Sequence, residues 1–485
     1  MYLAHGIGGR SDLPVPLWIA AYGAAFAVIV SFLALVWLWR EPRLTGAAAG
    51  RPLTGWGRAV ADAPATRITL RVIGLLLFVA TLATAWFGTD QVTTNPAPTW
   101  LYVWLWVGLV PLSVLFGPVW RRLNPLRTIA AAISGLGVKP RPLPQAVGYW
   151  PAVVSVLVFV WIELVYRSAA SPMTVAVFVT GYALVHVTGG VVYGQRWFDK
   201  GDGFEAYSTL LGHLSPLGRR EDGTLVLRSP FDSLVTLAPA PGLVALVSVL
   251  LGSTAFDGLT RGLFWKDLVA SYGDTITGYL LLGTAGLLVA MVFVLVSYTA
   301  AVRSSRTYTV APDDDEDDEL VEATAGGPVK TSAGGPVEAS AGGLVEASAH
   351  TRIKAPADGP EQGNLTGRFA HSLVPIVLGY TVAHYFTFAL YEGQAGLLYA
   401  TDPFGRGWDL LGLAGQQVNY TLVSPAAVAL IQVGAIVTGH ILGVIAAHDR
   451  AMDIYPPAKR TEGQLGLMMI MVAYTIGGIS LVVGT

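Results

Sequence analysis

The sequence has no cysteine among its 485 residues. Disulfides, thiolate zinc sites, a cysteine nucleophile and covalently attached c-type haem are therefore excluded, so any metal ligands must be histidines or carboxylates. Charge is scarce as well, because 13% of the residues are charged while 53% are hydrophobic. This balance is typical of a protein that crosses a membrane many times.

Short catalytic motifs are also absent. The chain contains no His-Glu-x-x-His, no Gly-x-Ser-x-Gly and no P-loop. A function must therefore be inferred from polar residues that are scattered over apolar segments.

Ten apolar segments are each near the ~20 residues that a helix needs to cross the hydrocarbon core. Such segments must be helical, because a lipid-exposed backbone has to satisfy its own hydrogen bonds. The sequence therefore predicts an all-α polytopic membrane protein, a bundle of about ten transmembrane helices in the lipid bilayer. The predicted segments lie near residues 16–39, 68–88, 99–120, 149–167, 172–194, 233–254, 274–300, 368–391, 421–446 and 464–484.

The basic residues predict the topology. Arginine and lysine concentrate in the odd-numbered loops, whereas the second loop, 89–98, carries none and the eighth carries only Arg406. Because positive loops stay inside, we expect the odd loops to be cytoplasmic and both termini to be extracytoplasmic. The expected location is a bacterial cell (inner) membrane.

The seventh loop has the composition of a linker. Residues 313–319 are all acidic, and an eight-residue unit then repeats three times between residues 325 and 348. This composition cannot build a core, so residues 301–367 are predicted to be a disordered cytoplasmic linker. It separates a seven-helix membrane segment, 1–300, from a three-helix membrane segment, 368–485.

Two features are predicted in the fifth loop. Residues Phe204–Leu214 are expected to form an amphipathic helix that lies on the inner membrane face. Thr224–Arg228 is a β-favouring run after an Asp222-Gly223 turn, which predicts a small hairpin.

Histidines provide the candidate site residues of an inner layer. Ionisable side chains inside a membrane are costly, so they usually face a bundle interior, a water-filled cavity or a cofactor. From the helical rise, His186, His440 and His371 lie about 12, 9 and 5 Å above the inner ends of their helices. We predict that these three histidines bind a divalent metal, with Asp449 or Glu205 as the base of a hydrolytic reaction.

A second, outer layer contains His384 and Glu163, at about 24 and 21 Å above the inner ends of their helices. This layer suits a different function, a transporter in which His384, Glu163 and His440 form a translocation or proton path. Two histidines on facing helices could instead ligate a b-type haem, and the protein would then be a haem- or copper-handling membrane protein. In the plainest alternative the histidines only hydrogen-bond neighbouring helices. The further candidate residues are His448, Glu392 and His5.

Several stretches of the chain carry a family resemblance. They are His5-Gly-Ile-Gly-Gly-Arg10-Ser-Asp12, Asn124-Pro125, Gly201-Asp202-Gly-Phe-Glu205-Ala-Tyr207-Ser208, Leu251-Gly-Ser-Thr-Ala-Phe256-Asp257, Ala383-His384-Tyr385 with Glu392-Gly-Gln394, and Gly439-His440 with His448-Asp449-Arg450. They resemble a bacterial family of integral membrane proteins known as fenitrothion hydrolases, over most of the chain outside 307–360. The resemblance implies hydrolysis of an organophosphate triester at the membrane. The expected partners are the lipid bilayer and a small-molecule substrate, with no nucleic acid.

Overall fold

The computed structural model describes residues 15–220, 222–309 and 364–483. Within these ranges the chain is helical, and ten of its helices are long and apolar enough to cross a membrane. The prediction of an all-α polytopic membrane protein is therefore confirmed. The candidate residue His5 and residues 310–363 of the predicted linker lie outside the described ranges.

The helices that build the spans have the following bounds. They are α1 Leu17–Leu38, α3 Pro64–Phe87, α4 Ala97–Thr99 with α5 Leu109–Phe116, α8 Trp150–Leu164, α9 Pro172–Tyr193, α13 Leu243–Arg261, α15 Ile276–Arg303, α16 Leu365–Phe369 with α17 Val374–Thr401, α18 Pro425–Ile454 and α19 Arg460–Val483. Shorter helices lie between them: α2 Trp56–Asp62, α6 Trp120–Leu123, α7 Pro125–Ser134, α10 Arg196–Gly201, α11 Gly203–Gly212, α12 Pro230–Leu234 and α14 Leu263–Tyr272.

Several predicted spans have different ends in the structure; the eighth, for example, was expected to end at residue 391, but α17 continues to Thr401. The sixth was expected from residue 233, yet α13 begins only at Leu243 because Pro239 and Pro241 interrupt the backbone hydrogen bonding. The ninth was expected to end at residue 446, but α18 continues to Ile454. His448 and Asp449 therefore lie within this helix.

Helix α11 corrects the prediction of a helix lying on the inner membrane face. Every residue of Gly203–Gly212 except Thr209 is buried. The helix packs against α5, α8 and α17 inside the bundle. A helix that presents apolar or small residues on all sides is stable only when it is buried on all sides.

A small antiparallel sheet is formed by residues of the first and fifth loops. Strands β2, Leu217–Arg219, and β3, Leu225–Leu227, form the predicted hairpin. Strand β1, Arg51–Pro52, comes from the first loop and adds to the other edge of β3. The sheet thus joins the first and fifth loops, which the sequence places on one side of the membrane.

Glycines allow α17 and α18 to approach closely. A Cβ at Gly379 would lie 2.5 Å from the carbonyl oxygen of Ala435, and one at Gly439 would lie 2.7 Å from that of Pro375. Small residues at such contacts let membrane helices pack backbone to backbone. This contact fixes the positions of the histidines that the two helices carry.

Candidate functional site

A buried polar network joins three spans in the half of the bundle that the sequence predicts to be external. We call it the outer network, and its members are Glu163 on α8, Asp257 and Arg261 on α13, and His384 and Tyr385 on α17. Asp257 and His384 are both buried. Two of these residues, His384 and Glu163, are the outer-layer candidates that helical rise placed at similar depth.

Asp257 and His384 form the centre of the outer network. Asp257 Oδ2 and His384 Nε2 are in direct contact. Arg261 stands one turn after Asp257 on the same face of α13, and its Nη2 lies 3.1 Å from His384 Nε2 and 3.5 Å from Asp257 Oδ2. The carboxylate and the guanidinium therefore both approach one ring nitrogen.

This geometry has two protonation states. A protonated His384 Nε2 donates its hydrogen to Asp257, while an unprotonated Nε2 accepts a hydrogen bond from Arg261. One proton thus changes the hydrogen-bonding partner of His384 without moving any helix.

Glu163 lies in the last turn of α8, and Tyr385 connects it to the centre. The Tyr385 hydroxyl donates to Glu163 Oε1 at 3.3 Å, and the Tyr385 ring lies edge-on to the His384 ring with centroids 4.8 Å apart. Glu163 Oε2 is buried and has no hydrogen-bond partner among the described residues. A buried carboxylate oxygen without a donor is costly, so it calls for a proton or a ligand.

The charges of the outer network do not cancel. Glu163 and Asp257 supply two carboxylates, whereas Arg261 supplies one guanidinium. One added proton, on Glu163 or on His384, makes the network neutral. Since an uncompensated charge is expensive in a low-dielectric interior, such a network favours binding a proton or a cation.

A small cavity of about 40 Å³ adjoins this network on the side that the sequence predicts to be external. Phe388 and Glu392 line it, one and two turns after His384 on α17. The candidate Glu392 is therefore a cavity residue and no direct member of the network. The other polar residues of the lining are Thr93, Thr99, Tyr102 and Tyr399.

The third span is discontinuous beside this cavity. Residues Trp100–Val107 form a π-helix between α4 and α5. The indole N–H groups of Trp100 and Trp104 donate to the carbonyl oxygens of Gly396 and Gly393, at 3.3 and 3.2 Å. Extended π-helical segments are rare and occur frequently at functional sites.

The structure does not bring the three predicted metal ligands His186, His371 and His440 together, so the inner metal site stays a prediction. The described residues contain no group of three or more histidines and carboxylates that could hold a metal ion. His186 accepts from the Trp197 indole at 3.2 Å and is 3.0 Å from Ser155 Oγ, so both ring nitrogens are used. The helix that carries it, α9, packs mainly on α3, α7 and α10. Equal depth along the membrane normal did not bring the three histidines onto facing surfaces.

The other two inner histidines also have local partners. The ring nitrogens of His371 lie 3.1 and 3.3 Å from the carbonyl oxygens of Arg368 and Ala446. His440 Nδ1 donates to the Ile436 carbonyl at 2.9 Å. His440 Nε2 is buried and has no hydrogen-bond partner in the described part of the chain. These contacts fit the plain alternative, in which the histidines link neighbouring helices.

Glu205 forms a buried ion pair with Arg127, and its role as a base stays a prediction. We call Asn124, Arg127, Asp199, Asp202 and Glu205 the inner network. Arg127 Nη2 is in close contact with Glu205 Oε1, Arg127 Nε donates to Oε2 at 3.1 Å, and Asn124 Nδ2 donates to Oε2 at 3.0 Å. Burial raises the pKa of Glu205, and the hydrogen bonds from Arg127 oppose that rise. Both carboxylate oxygens are therefore engaged.

Two helix caps hold the inner network in place. Asn124 caps α7, since its side-chain oxygen accepts from the N–H groups of Leu126 and Arg127. Asp202 caps α11 in the same way and also accepts from the Tyr182 hydroxyl at 2.6 Å. The Asn124-Pro125 pair is a recognisable start of a helix, so the sequence carried a signal for this cap.

Asp449 and His448 connect the first loop to α18, and the role of Asp449 as a base stays a prediction. Asp449 Oδ1 accepts from the N–H of Arg43 at 2.7 Å and from the Trp39 indole at 3.1 Å. The ring nitrogens of His448 lie 2.8 Å from Gln464 Oε1 and 2.9 Å from the Trp39 carbonyl oxygen. These contacts hold the first loop against α18.

Comparison with protein-family models, with curated proteins and with solved structures gave no match in any of the three. We therefore infer a function from the geometry of the outer network.

Proposed function

We propose that the protein is a membrane permease that couples the movement of a small solute to the movement of a proton through the outer network. The observation that carries this proposal is the charge imbalance among Glu163, Asp257 and Arg261, together with the unpartnered Glu163 Oε2. Buried Asp, Glu and His residues in membrane spans commonly mark proton relays in transporters.

The mechanism starts from the external cavity. A solute enters beside Glu392 and Phe388, and a proton binds at Glu163 or at His384. When His384 gains the proton, its Nε2 donates to Asp257, and Arg261 loses an acceptor. The freed guanidinium then serves as a donor for the solute. Proton binding and solute binding are coupled because they change the same set of hydrogen bonds.

The interrupted spans support this proposal. The third span contains the π-helix Trp100–Val107, and in the eighth a 3-10 turn at Ala370–Leu373 separates α16 from α17. Such departures from α-helical geometry occur frequently at functional sites.

Hydrolysis of an organophosphate ester is a second candidate, favoured by the Asp257–His384 contact. A carboxylate that orients an imidazole is the common arrangement of a general base. The family resemblance of the sequence implies the same activity.

Proteoliposomes with the full chain separate the two functions. We expect a panel of small organic anions, cations and neutral solutes to contain one that evokes a proton current, measured on a solid-supported membrane. That current should disappear in Glu163→Gln and in His384→Gln, because both variants remove a proton-binding group. His213→Gln is the matched control, since His213 is a half-buried histidine that contacts the Ser233 carbonyl outside the outer network.

The same vesicles are then given an organophosphate triester, with and without added divalent metal. Triester hydrolysis that is lost in His384→Gln, with no proton current for any solute, would favour the hydrolase. Wild-type currents in both Glu163→Gln and His384→Gln would contradict the permease.

A further inference from the structure

A cationic cavity of about 240 Å³ lies on the side of the first, third and fifth loops. Arg67, Arg122 and Arg219 line it together with Asp62. Arg219 pairs with Asp62 at 2.5 Å, whereas the side chains of Arg67 and Arg122 form no hydrogen bond or ion pair among the described residues. The cavity thus carries excess positive charge that nothing in the described chain neutralises.

The surroundings of Arg122 disfavour its charge. Burial lowers the pKa of Arg122, and the nearby Arg219 adds to that effect. The side chain nevertheless lines the cavity beside two other guanidinium groups. A bound anion would offset both the burial of Arg122 and its repulsion by Arg219, because it supplies an opposite charge and accepts hydrogen bonds.

An apolar groove of about 190 Å³ lies between α3, the third span and α9. Its wall includes Leu77 and Phe78 on α3, Leu112 on α5 and Phe178 on α9. Leu77 is 53% exposed and Leu112 is 38% exposed, so the groove opens on the surface that faces the lipid. Its lining is almost entirely apolar, as an acyl chain requires.

The cavity and the groove adjoin each other. Leu123 lines the groove while Arg122, its neighbour in sequence, lines the cavity. A Cβ on Gly74 would lie 1.7 Å from the Leu123 carbonyl oxygen, so α3 and α6 touch at this point. Arg67 precedes Gly74 by seven residues, about 10 Å along α3. A charged end and an apolar end are therefore stacked along the membrane normal.

We propose that this composite site binds an anionic diacyl phospholipid of the adjoining leaflet. The lipid phosphate contacts Arg67 and Arg122, and one acyl chain lies in the groove past Leu77. The charge complementarity and the adjoining groove favour a lipid over free phosphate. By the predicted topology this leaflet is the cytoplasmic one.

The test is native mass spectrometry of the full chain in detergent, titrated with phosphatidylglycerol and, separately, with phosphatidylcholine. We expect phosphatidylglycerol to bind more tightly, and its affinity to fall about fivefold for each arginine replaced in Arg67→Gln and in Arg67→Gln/Arg122→Gln. The control is Lys139→Gln/Arg141→Gln, which removes two exposed charges from the third loop and should change nothing. The single variant Arg67→Gln alters an exposed side chain, so it keeps the test valid if the double variant fails to fold.

Two leucine-to-tryptophan variants test the role of the groove. Leu77→Trp should fill it and weaken phosphatidylglycerol binding, whereas Leu76→Trp changes an exposed neighbour outside the lining and should not. Equal binding of both lipids, or full phosphatidylglycerol affinity in Arg67→Gln/Arg122→Gln, would overturn the proposal. Displacement of the lipid by inorganic phosphate, combined with no effect of Leu77→Trp, would identify a free-phosphate site and overturn it as well.

Discussion

Replacing Arg127 by Met tests whether Glu205 belongs to a structural ion pair or to a catalytic site. Arg127 is the main counter-charge of Glu205, which is 1% exposed. In Arg127→Met the Glu205 carboxylate keeps the Asn124 hydrogen bond and loses both contacts from the guanidinium. Breaking a buried ion pair by removing one partner costs about 3–5 kcal/mol. We expect the free energy of unfolding to fall by that amount at neutral pH.

The pH dependence of this loss has a definite sign. Burial raises the pKa of Glu205 in the folded protein, and removing Arg127 raises it further. The folded variant therefore binds the proton more tightly than the unfolded chain does. The loss of stability should be largest above the folded pKa, and it should shrink as the pH falls toward the value of an unfolded glutamate, about 4.3.

Unfolding by SDS titration, followed by tryptophan fluorescence, gives the free energies in detergent micelles. Arg127→Met/Glu205→Gln should recover most of the loss, because the uncompensated charge is gone. Arg121→Met is the control: Arg121 forms an exposed ion pair with Asp199 at 3.1 Å, and such a pair is worth about 0–1 kcal/mol.

The structural assignment of Glu205 fails under either of two results. Arg127→Met could unfold at the same SDS concentration as the wild type at neutral pH. Alternatively, Glu205→Gln could abolish transport or hydrolysis while leaving the free energy of unfolding unchanged. The second result would support the prediction that Glu205 acts as a base.

The remaining predictions concern the first loop, the topology and the linker. In Asp449→Ala the backbone N–H of Arg43 loses its acceptor, so its hydrogen exchange should become faster, whereas the exposed neighbour in Asp453→Ala should have no effect. Because the chain has no native cysteine, an impermeant thiol reagent should label Asp402→Cys from outside and leave Ser340→Cys unlabelled; the reverse would invert the topology. Deleting residues 313–348 should preserve the yield of folded protein in detergent, since a segment of this acidic and Gly-rich composition is not expected to contribute to a core.

The spans were predictable because the signal for a membrane helix is local. A run of apolar residues satisfies its backbone only as a helix, whatever its neighbours are. The ends were less predictable, since they depend on turns and caps. Hydropathy continued through residues 233–242, but Pro239 and Pro241 placed the start of α13 after them. Similarly, Pro230–Leu234 became a separate short helix.

The candidate site was predicted in part, for a geometrical reason. Helical rise gives the depth of a residue but not the direction in which its side chain points. The estimate placed His384 and Glu163 correctly in one layer, and Tyr385 joins them. It failed for His186 and His371, which face different neighbours at similar depth.

Arg261 belongs to the outer network but was not among the candidate residues chosen from the sequence. It ends an apolar helix, and Asp257 stands four residues before it. That spacing places both side chains on one helix face, where they form an ion pair. A charge pair at this spacing within an apolar run was the available signal.

The two networks differ in a way that separates support from function. In the inner network each carboxylate has donors: Glu205 has Arg127 and Asn124, while Asp202 has Asn124, Tyr182 and two backbone N–H groups. A fully satisfied network resists any change of protonation, because every oxygen would lose a partner. In the outer network Glu163 Oε2 lacks a donor among the described residues, and Arg261 and His384 both approach Asp257. This difference is why we propose the outer network, and not the inner one, as the proton-binding site of a permease.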